Sequence, residues 1–334
     1  MNRIYNTDCV KGMKGLPDGC IDCCVTAPPR GIKDMVSRRD YNIPAVEVWK
    51  EVWRLLKPGA HMLVACGTLT QHRMAVNVED AGFDIREVIT RHYALIFSQA
   101  LKTATELWTL ARKPLEEKTI AENVMKFGTG ALNIDACRIE TDELITNHSR
   151  KLESVRSTSR FGKKKQATHQ TEGQQFGRFP ANLILDEFSA EELDRQSGVS
   201  VSTGGSGEKS PGGFGKKGKY GAYALNVKNK SAGGLGDFGG ASRFFYVTKA
   251  DPVERGRGNS DDTVKPMTLM GYLIKLICPI EPGRIVLEPF AGSATTCIAA
   301  RKLGVDFMAF ESNADSVGIA ERRLREELGL FYDG

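Results

Sequence analysis

The sequence predicts an α/β fold, a mostly parallel sheet flanked by helices. Three observations carry this. A strand, a turn of small residues, a helix, a second strand and a closing acid follow one another over residues 285–311. A short apolar run at 21–25 is cut off by the double proline Pro28-Pro29. Regular strand and helix patterning at both ends of the chain frames a polar stretch at 115–245.

A chain of 334 residues exceeds one small core, so one large domain with an insertion, or two domains, is expected. No apolar run reaches the ~18 residues that cross a bilayer, so no membrane partner is expected. The first residues go straight into a strand-like pattern without the apolar segment of a leader peptide. A cytoplasmic protein, in a bacterium or a phage-infected host cell, is the expectation. The eight cysteines suit that compartment. Cys20 and Cys23 have metal-site spacing, but no second Cys or His pair follows, so buried thiols and no metal are expected.

Charge is unevenly spread. Residues 150–250 hold 17 Lys and Arg against 9 Asp and Glu, a local balance of +8 in a chain of net charge +5. A basic middle points to a polyanionic partner.

In order, residues 4–8 read as a short strand ending in a carboxylate, and 10–16 as one or two helical turns stopped by Pro17-Asp18-Gly19. The strand leading to the double proline follows. Ala45, Trp49, Val52, Trp53 and Leu56 share one face at helical spacing, and Lys57-Pro58-Gly59 ends that helix. Strands are expected at 61–66, 83–93 and 106–112, with a helix at 70–81. The brief link at 94–105 allows an antiparallel pair, because a parallel pair needs a longer crossover. His72 and His92 stand alone and read as surface or satisfied polar residues.

The middle has weak periodicity. Its ordered islands are 179–185 and 242–247, expected as strands. Two basic clusters carry an aromatic at one end, 160–165 and 215–220. Glycine-rich stretches at 204–215 and 233–240 read as flexible alone. Regularity returns with a helix at 268–277, a strand at 285–290, a helix at 297–303, a strand at 306–310 closed by Glu311, and a final helix at 315–328.

Small residues after a strand let a ligand approach the backbone, and the amide end of the next helix favours electronegative groups. An acid about twenty residues past such a turn stands where nucleotide-binding α/β folds bind ribose hydroxyls.

These segments resemble one family. Glu288-Pro289-Phe290-Ala291-Gly292-Ser293-Ala294-Thr295-Thr296 is similar to the D-P-F-A-G-S-G-T-T cofactor motif of DNA amino-methyltransferases that use S-adenosylmethionine. Thr26-Ala27-Pro28-Pro29-Arg30-Gly31 resembles their catalytic motif, (D/N/S)-P-P-(Y/F/W), and Thr263-Val264-Lys265-Pro266 resembles the H-P-T-x-K-P segment ahead of the cofactor motif. The catalytic motif comes first, which is the permuted order of the β group, common in phage and prophage enzymes. The resemblance implies a Rossmann-like seven-stranded, mostly parallel sheet with one antiparallel strand and an inserted target-recognition region. It implies a methyltransferase domain split between 1–114 and 242–334, around a partly flexible recognition insertion at 115–241.

By the same resemblance, the cofactor would meet Asp8 at its adenine, Glu311 at its ribose and Phe290 to Gly292 at its methionine portion. Thr26, Lys265, Pro266, Glu288, Pro289, Ala291, Ser293 and Thr295 complete the implied cofactor set. Ala27, Pro28, Pro29 and Arg30 occupy the catalytic positions. Arg160, Lys163, Lys164, Lys165, Lys216, Lys217 and Lys219 are the expected phosphate contacts on double-stranded DNA. The implied activity is methyl transfer to the exocyclic amine of adenine, or less readily cytosine, on a base flipped out of the duplex. A homodimer, or pairing with an active methyltransferase subunit, is the implied assembly.

The chain departs from the family where the chemistry lies. Ala27 has no hydrogen-bond acceptor, and Arg30 is a cationic donor in place of an aromatic. Ala294 stands where glycine is usual, and Asp261-Asp262 replaces His-Pro. Two further readings therefore stand beside the active enzyme. One is a catalytically inactive homologue that binds DNA, cofactor or a partner subunit. The other is altered group transfer, with Arg30 pairing an anionic substituent.

Overall fold

The computed structural model describes residues 2–28, 43–93, 104–141, 177–201, 238–248 and 264–329. The first half opens with β1 (Arg3–Asn6), α1 (Cys9–Met13) and β2 (Ile21–Thr26), the last buried along its whole length. Burial on both faces is what a central parallel strand requires, and it accounts for the mostly apolar run; its one carboxylate, Asp22, is buried and accepts from Lys57, Arg284 and the Ile285 amide. Next come α2 (Val46–Leu55) and β3 (Leu56–Cys66). The helix ends before Lys57-Pro58-Gly59 as expected, but the strand starts at once and takes those residues in. Trp49 and Val52 are fully buried on the predicted face of α2. Then follow α3 (Gln71–Asp80), β4 (Asp84–His92) and β5 (Thr105–Arg112).

The middle holds more order than its patterning shows. Helix α4 (Ile120–Phe127) opens on a capping box between Thr119 and Glu122 and closes on Gly128 in the left-handed region. Beyond it lie β6 (Leu183–Asp186), α5 (Glu187–Ser197), a ribbon of β7 (Ser200–Val201) with β8 (Phe238–Gly239), and β9 (Tyr246–Thr248). The last part comprises α6 (Met267–Ile277), β10 (Ile285–Glu288), α7 (Thr295–Lys302), β11 (Asp306–Glu311) and α8 (Ala314–Leu328).

Among the described residues, nine strands form one sheet in the order β1-β11-β10-β2-β3-β5-β4-β6-β9. Every neighbouring pair is parallel except the two made by β5, which runs against both β3 and β4. The single antiparallel strand is thus as expected. The count of seven is corrected to nine. The two additions are the apolar islands of the middle, β6 and β9, whose backbone groups find partners beyond β4 (Thr90 opposite Leu183, Ile184 opposite Tyr246). The segment at 115–241 therefore supplies one strand of the central sheet.

Helices cover both faces. Leu273 and Ile274 of α6, Ile298 of α7 and Ala320 and Leu324 of α8 pack on one side, together with Cys23 and Val25 of β2. Met13 of α1, Trp49 and Val52 of α2 and Met74 and Val78 of α3 pack on the other, with Ile21 and Cys24. Cys23, Cys24 and Val25 enter opposite cores in turn, as strand geometry dictates, and a register shift between Ile21 and Cys23 puts Ile21 on the side of Cys24. Seven of the eight cysteines are buried and all are free thiols. Among the described residues, no helix is long and apolar enough to cross a membrane.

Candidate functional site

Two winding directions meet between β10 and β2. From β10 the chain passes through α7 to β11, on one side; from β2 it passes through α2 to β3, on the other. The loops leaving such a pair diverge and open a crevice at the carboxyl edge of the sheet. A cavity of about 420 Å³ lies there, within the usual range for small-molecule sites.

Most of the cavity wall is built from strand ends. Asp8 and Cys9 follow β1, Ala27 and Pro28 follow β2, and Ala65 nearly ends β3. Pro289, Phe290 and Gly292 follow β10, while Glu311 and Ser312 close β11. Lys265, just ahead of α6, completes the lining. Asp8 caps α1 by accepting the Lys11 amide at 2.9 Å. Glu311 accepts the Gly292 amide at 2.9 Å and the Asn313 amide at 2.8 Å, so one carboxylate fixes the turns after both β10 and β11.

Other predicted residues stand behind this wall. Glu288 is buried and does not line the cavity. Its carboxyl accepts the hydroxyl of Thr26, the amide of Phe290 at 3.0 Å and the hydroxyl of Thr296 at 2.7 Å. Burial raises its pKa to about 7, against the pull of those three donors, and the neighbouring Glu311 adds to the rise. Thr26 and Thr295 are likewise buried, Ala291 donates its amide to the Phe310 carbonyl at 2.9 Å, and Pro266 caps α6. Ser293 is buried, and its carbonyl accepts from the Arg323 guanidinium.

Lys265 reaches the cavity but hydrogen-bonds the buried carboxylate of Glu106 on β5. The same carboxylate accepts Trp108 Nε1 at 3.3 Å and lies 3.7 Å from the Arg91 guanidinium. Among the described residues, no cation pairs with Asp8 or Glu311. The β1–β11 side of the cavity is therefore acidic, suited to hydroxyl donors and to a positive charge.

The structure brings together Asp8, Ala27, Pro28, Lys265, Pro289, Phe290, Gly292 and Glu311 from the sequence-derived set. Pro29, Arg30, Arg160, Lys163, Lys164, Lys165, Lys216, Lys217 and Lys219 lie outside the described residues. It adds residues that sequence reasoning missed. Cys9 and Ser312 each follow a predicted strand-end acid, so position alone signals them. Burial, helped by Asp8, pushes the Cys9 thiol up to about 11, which leaves it protonated near neutral pH. Arg323, on the final helix, is buried and binds Thr295 Oγ1 at 3.1 Å as well as Ser293. In the sequence it is one charge among many on an amphipathic helix, with no signal setting it apart.

Comparison with known proteins bears on this geometry. The family N6_N4_Mtase, described as DNA methylase, matches residues 21–322. Type II methyltransferase M.HindIII of Haemophilus influenzae is 44% identical over 70 residues, 21% of this chain and 22% of that protein. Type II methyltransferase M.HinfI of the same species is 34% identical over 73 residues, 22% of this chain and 20% of that protein. The matched stretch thus spans about a fifth of each curated relative. Among solved structures, TTHA0409 of Thermus thermophilus, described as a candidate DNA modification methylase, superposes with a TM-score of 0.51 at 16% identity, covering 99% of this chain and 97% of that one. The same protein has been solved in complex with S-adenosyl-L-methionine, with a TM-score of 0.51 at 15% identity, covering 99% of this chain and 96% of that one. At those identities the likeness concerns the fold. The family match runs through the turns after β2, β10 and β11, and the chain belongs to the DNA methylase family.

Proposed function

We infer that the chain binds S-adenosylmethionine at the switch point and transfers its methyl group to an exocyclic amine of DNA, adenine foremost and cytosine second. The observation that carries this is the convergence of Asp8, Glu311, Phe290 and Pro28 on one cavity at the carboxyl edge. The donor set fits the cofactor. Two carboxylates suit ribose hydroxyls and an adenine amine, Phe290 and the prolines suit an apolar body, and the acidic wall suits a sulfonium. When bound, that cofactor supplies an electrophilic methyl group. Asp8, Glu311 and the Phe290–Gly292 backbone hold and orient it, while Ala27 and Pro28 border the place for the incoming amine.

An exocyclic amine is a weak nucleophile because its lone pair is delocalised into the base. An acceptor that hydrogen-bonds the amine localises that pair. The backbone carbonyls of this turn can accept, but the Ala27 side chain cannot. Turnover is accordingly slow, and a second reading, a homologue that binds cofactor and DNA without turnover, is favoured by that same residue. Double-stranded DNA is the partner in both readings, the cell interior is their setting, and a homodimer or an active partner subunit fits either.

Calorimetric titration with S-adenosylmethionine, followed by transfer of labelled methyl to unmethylated DNA, tests the inference. Saturable binding with slow transfer is expected. Binding without transfer selects the inactive homologue, and absence of binding overturns both readings. The basic clusters have their own test. Replacing Lys163, Lys164 and Lys165 by alanine shallows the salt dependence of DNA affinity by roughly 0.9 for each phosphate no longer neutralised, and an unchanged slope removes them from the interface.

A further inference from the structure

The carboxyl of Glu288 occupies an unusual place. It ends β10, lies behind the cavity wall, and ties together elements that the chain brings from far apart. One oxygen accepts both the Thr26 hydroxyl and the Phe290 amide, the latter at 3.0 Å; the other accepts the Thr296 hydroxyl at 2.7 Å. Thr26 is the last residue of β2 and precedes Ala27 and Pro28 on the acceptor side. Phe290 belongs to the cofactor turn, and Thr296 to the first turn of α7.

We propose that Glu288 is a positioning residue whose ionised carboxylate sets the acceptor turn against the cofactor turn. This rests on reading the cavity as an S-adenosylmethionine site. All three partners donate to the carboxyl. Two are hydroxyls, which can turn round and accept; the third is a backbone amide, which cannot. A neutral acid must itself donate one proton, so it can keep the set only by reversing a threonine, and its hydrogen bonds are weaker than those of the anion. The ionised form therefore holds Pro28 and Phe290 in one register across the cavity, and it adds negative charge behind a site for a cation.

The surroundings make the switch accessible. Cys24 of β2 and Cys297 of α7, both fully buried and held neutral by that burial, feel the charge of Glu288, and Glu311 of β11 adds negative charge. Among the described residues no cation pairs with Glu288. Burial thus brings its titration to about 7.

The test is calorimetric titration of the full chain with S-adenosylmethionine from about pH 6 to about pH 8, beside Glu288→Gln and Glu288→Asp. Parent affinity rises about tenfold across that window, an ordinary size for coupled equilibria. Glu288→Gln stays at the weak-binding value throughout, because a carboxamide does not ionise. Glu288→Asp keeps a carboxylate and keeps a step. A flat parent profile, or a step in Glu288→Gln equal to the parent's, overturns the proposal. A second readout needs no cofactor. In the parent, the Phe290 amide and Thr26 methyl resonances move together with one midpoint near neutrality, and in Glu288→Gln they do not move. Immobile parent resonances overturn the proposal whatever the cofactor does. Moving resonances with no S-adenosylmethionine bound at any pH overturn the reading of the cavity, while the carboxyl's hold on both turns stands.

Discussion

The turn after β10 and the turn after β2 face each other across the switch point, and their polar equipment differs. On the cofactor side, Glu311 and Arg323 fix the turn from β11 and α8, Phe290 and Gly292 line the cavity, and Asp8 contributes a second carboxylate from the neighbouring β1. On the acceptor side, Ala27 and Pro28 line the cavity with no polar side-chain atom, and the preceding hydroxyl, Thr26, is spent on Glu288. On the proposed reading, binding machinery and chemical machinery are thus separable. The first is assembled from backbone turns and acids at several strand ends; the second hangs on single side chains.

The largest expected effect comes from equipping the poorer side. Ala27→Asp together with Arg30→Tyr restores the acid and the aromatic of the family motif. Supplying a positioned polar contact of this kind is worth about 10²–10³ in rate, by analogy with oxyanion-hole donors. Labelled-methyl transfer to DNA should rise by that factor while cofactor affinity changes little. An unchanged rate would place the limitation elsewhere than at Ala27 and Arg30. Next in size is the reverse experiment on the richer side. Glu311→Ala removes the cavity carboxylate and releases the Gly292 and Asn313 amides. Hydrogen bonds to charged groups contribute about 1.5–3 kcal/mol, so S-adenosylmethionine binding should weaken about 10- to 100-fold by calorimetry, with the fold intact by circular dichroism. Full affinity in Glu311→Ala would mean that the cofactor side is held without this carboxylate.

Much of this difference was legible in the sequence, because it lies at strand ends. The apolar run before Pro28, the small-residue turn after Glu288 and the acid Glu311 each mark the point where a parallel strand stops, and parallel strands end on one edge. Ala27 could be read as lacking an acceptor without any coordinates. Three things could not be read. The direction of the Glu288 side chain depends on Thr26, 262 residues away, and on Thr296. Arg323 is buried only because α8 packs over the cofactor turn. The islands at 179–185 and 242–247 read as strands, but nothing in their four- and three-residue spans says that they extend the central sheet, because pairing beyond β4 decides that. Helix α4 did carry a signal, the Thr119–Glu122 capping box, but its eight residues sit in a polar neighbourhood that hides an apolar stripe.

A smaller effect contrasts buried titratable groups in the two halves of the sheet. Glu288 on the cofactor side has its pKa raised to about 7, and His61 on β3, beside the acceptor side, has its pKa lowered to about 3 by burial and by the charges of Arg112 and Arg86. A raised carboxyl keeps its proton in the folded state where the unfolded chain has lost it, so its stabilising contribution falls as pH rises from about 4.5 to about 7. A lowered imidazole works the other way, losing stability as pH falls from about 6.5 toward 3. Between about pH 4.5 and 6.5 the two slopes oppose each other. Glu288→Gln removes one of them. Its stability relative to the parent should fall by about 2 kcal/mol as pH drops from about 6.5 to about 4.5, measured by urea unfolding. A difference independent of pH would show that Glu288 titrates in its ordinary range and that burial is offset by its three donors.

The smallest effect concerns Ala294, where the cofactor side itself departs from the family glycine. Ala294 is fully buried at φ 66°, ahead of α7, and donates its amide to the Ala291 carbonyl at 2.8 Å. An L-residue in that region costs about 1–2 kcal/mol. Ala294→Gly removes this cost, but it gives up a buried methyl group worth about 0.8 kcal/mol and enlarges the freedom of the unfolded chain by about 0.4–1 kcal/mol. The terms nearly cancel, so unfolding free energy should shift by less than about 1 kcal/mol, with cofactor affinity unchanged within about twofold. A larger gain would show that strain dominates the turn; a larger loss, that the methyl group is a packing element of it. A near-zero result shows that a backbone turn with several anchors tolerates losing its glycine. The acceptor turn has no such reserve, because Ala27 replaces a side chain for which no described neighbour on that wall substitutes.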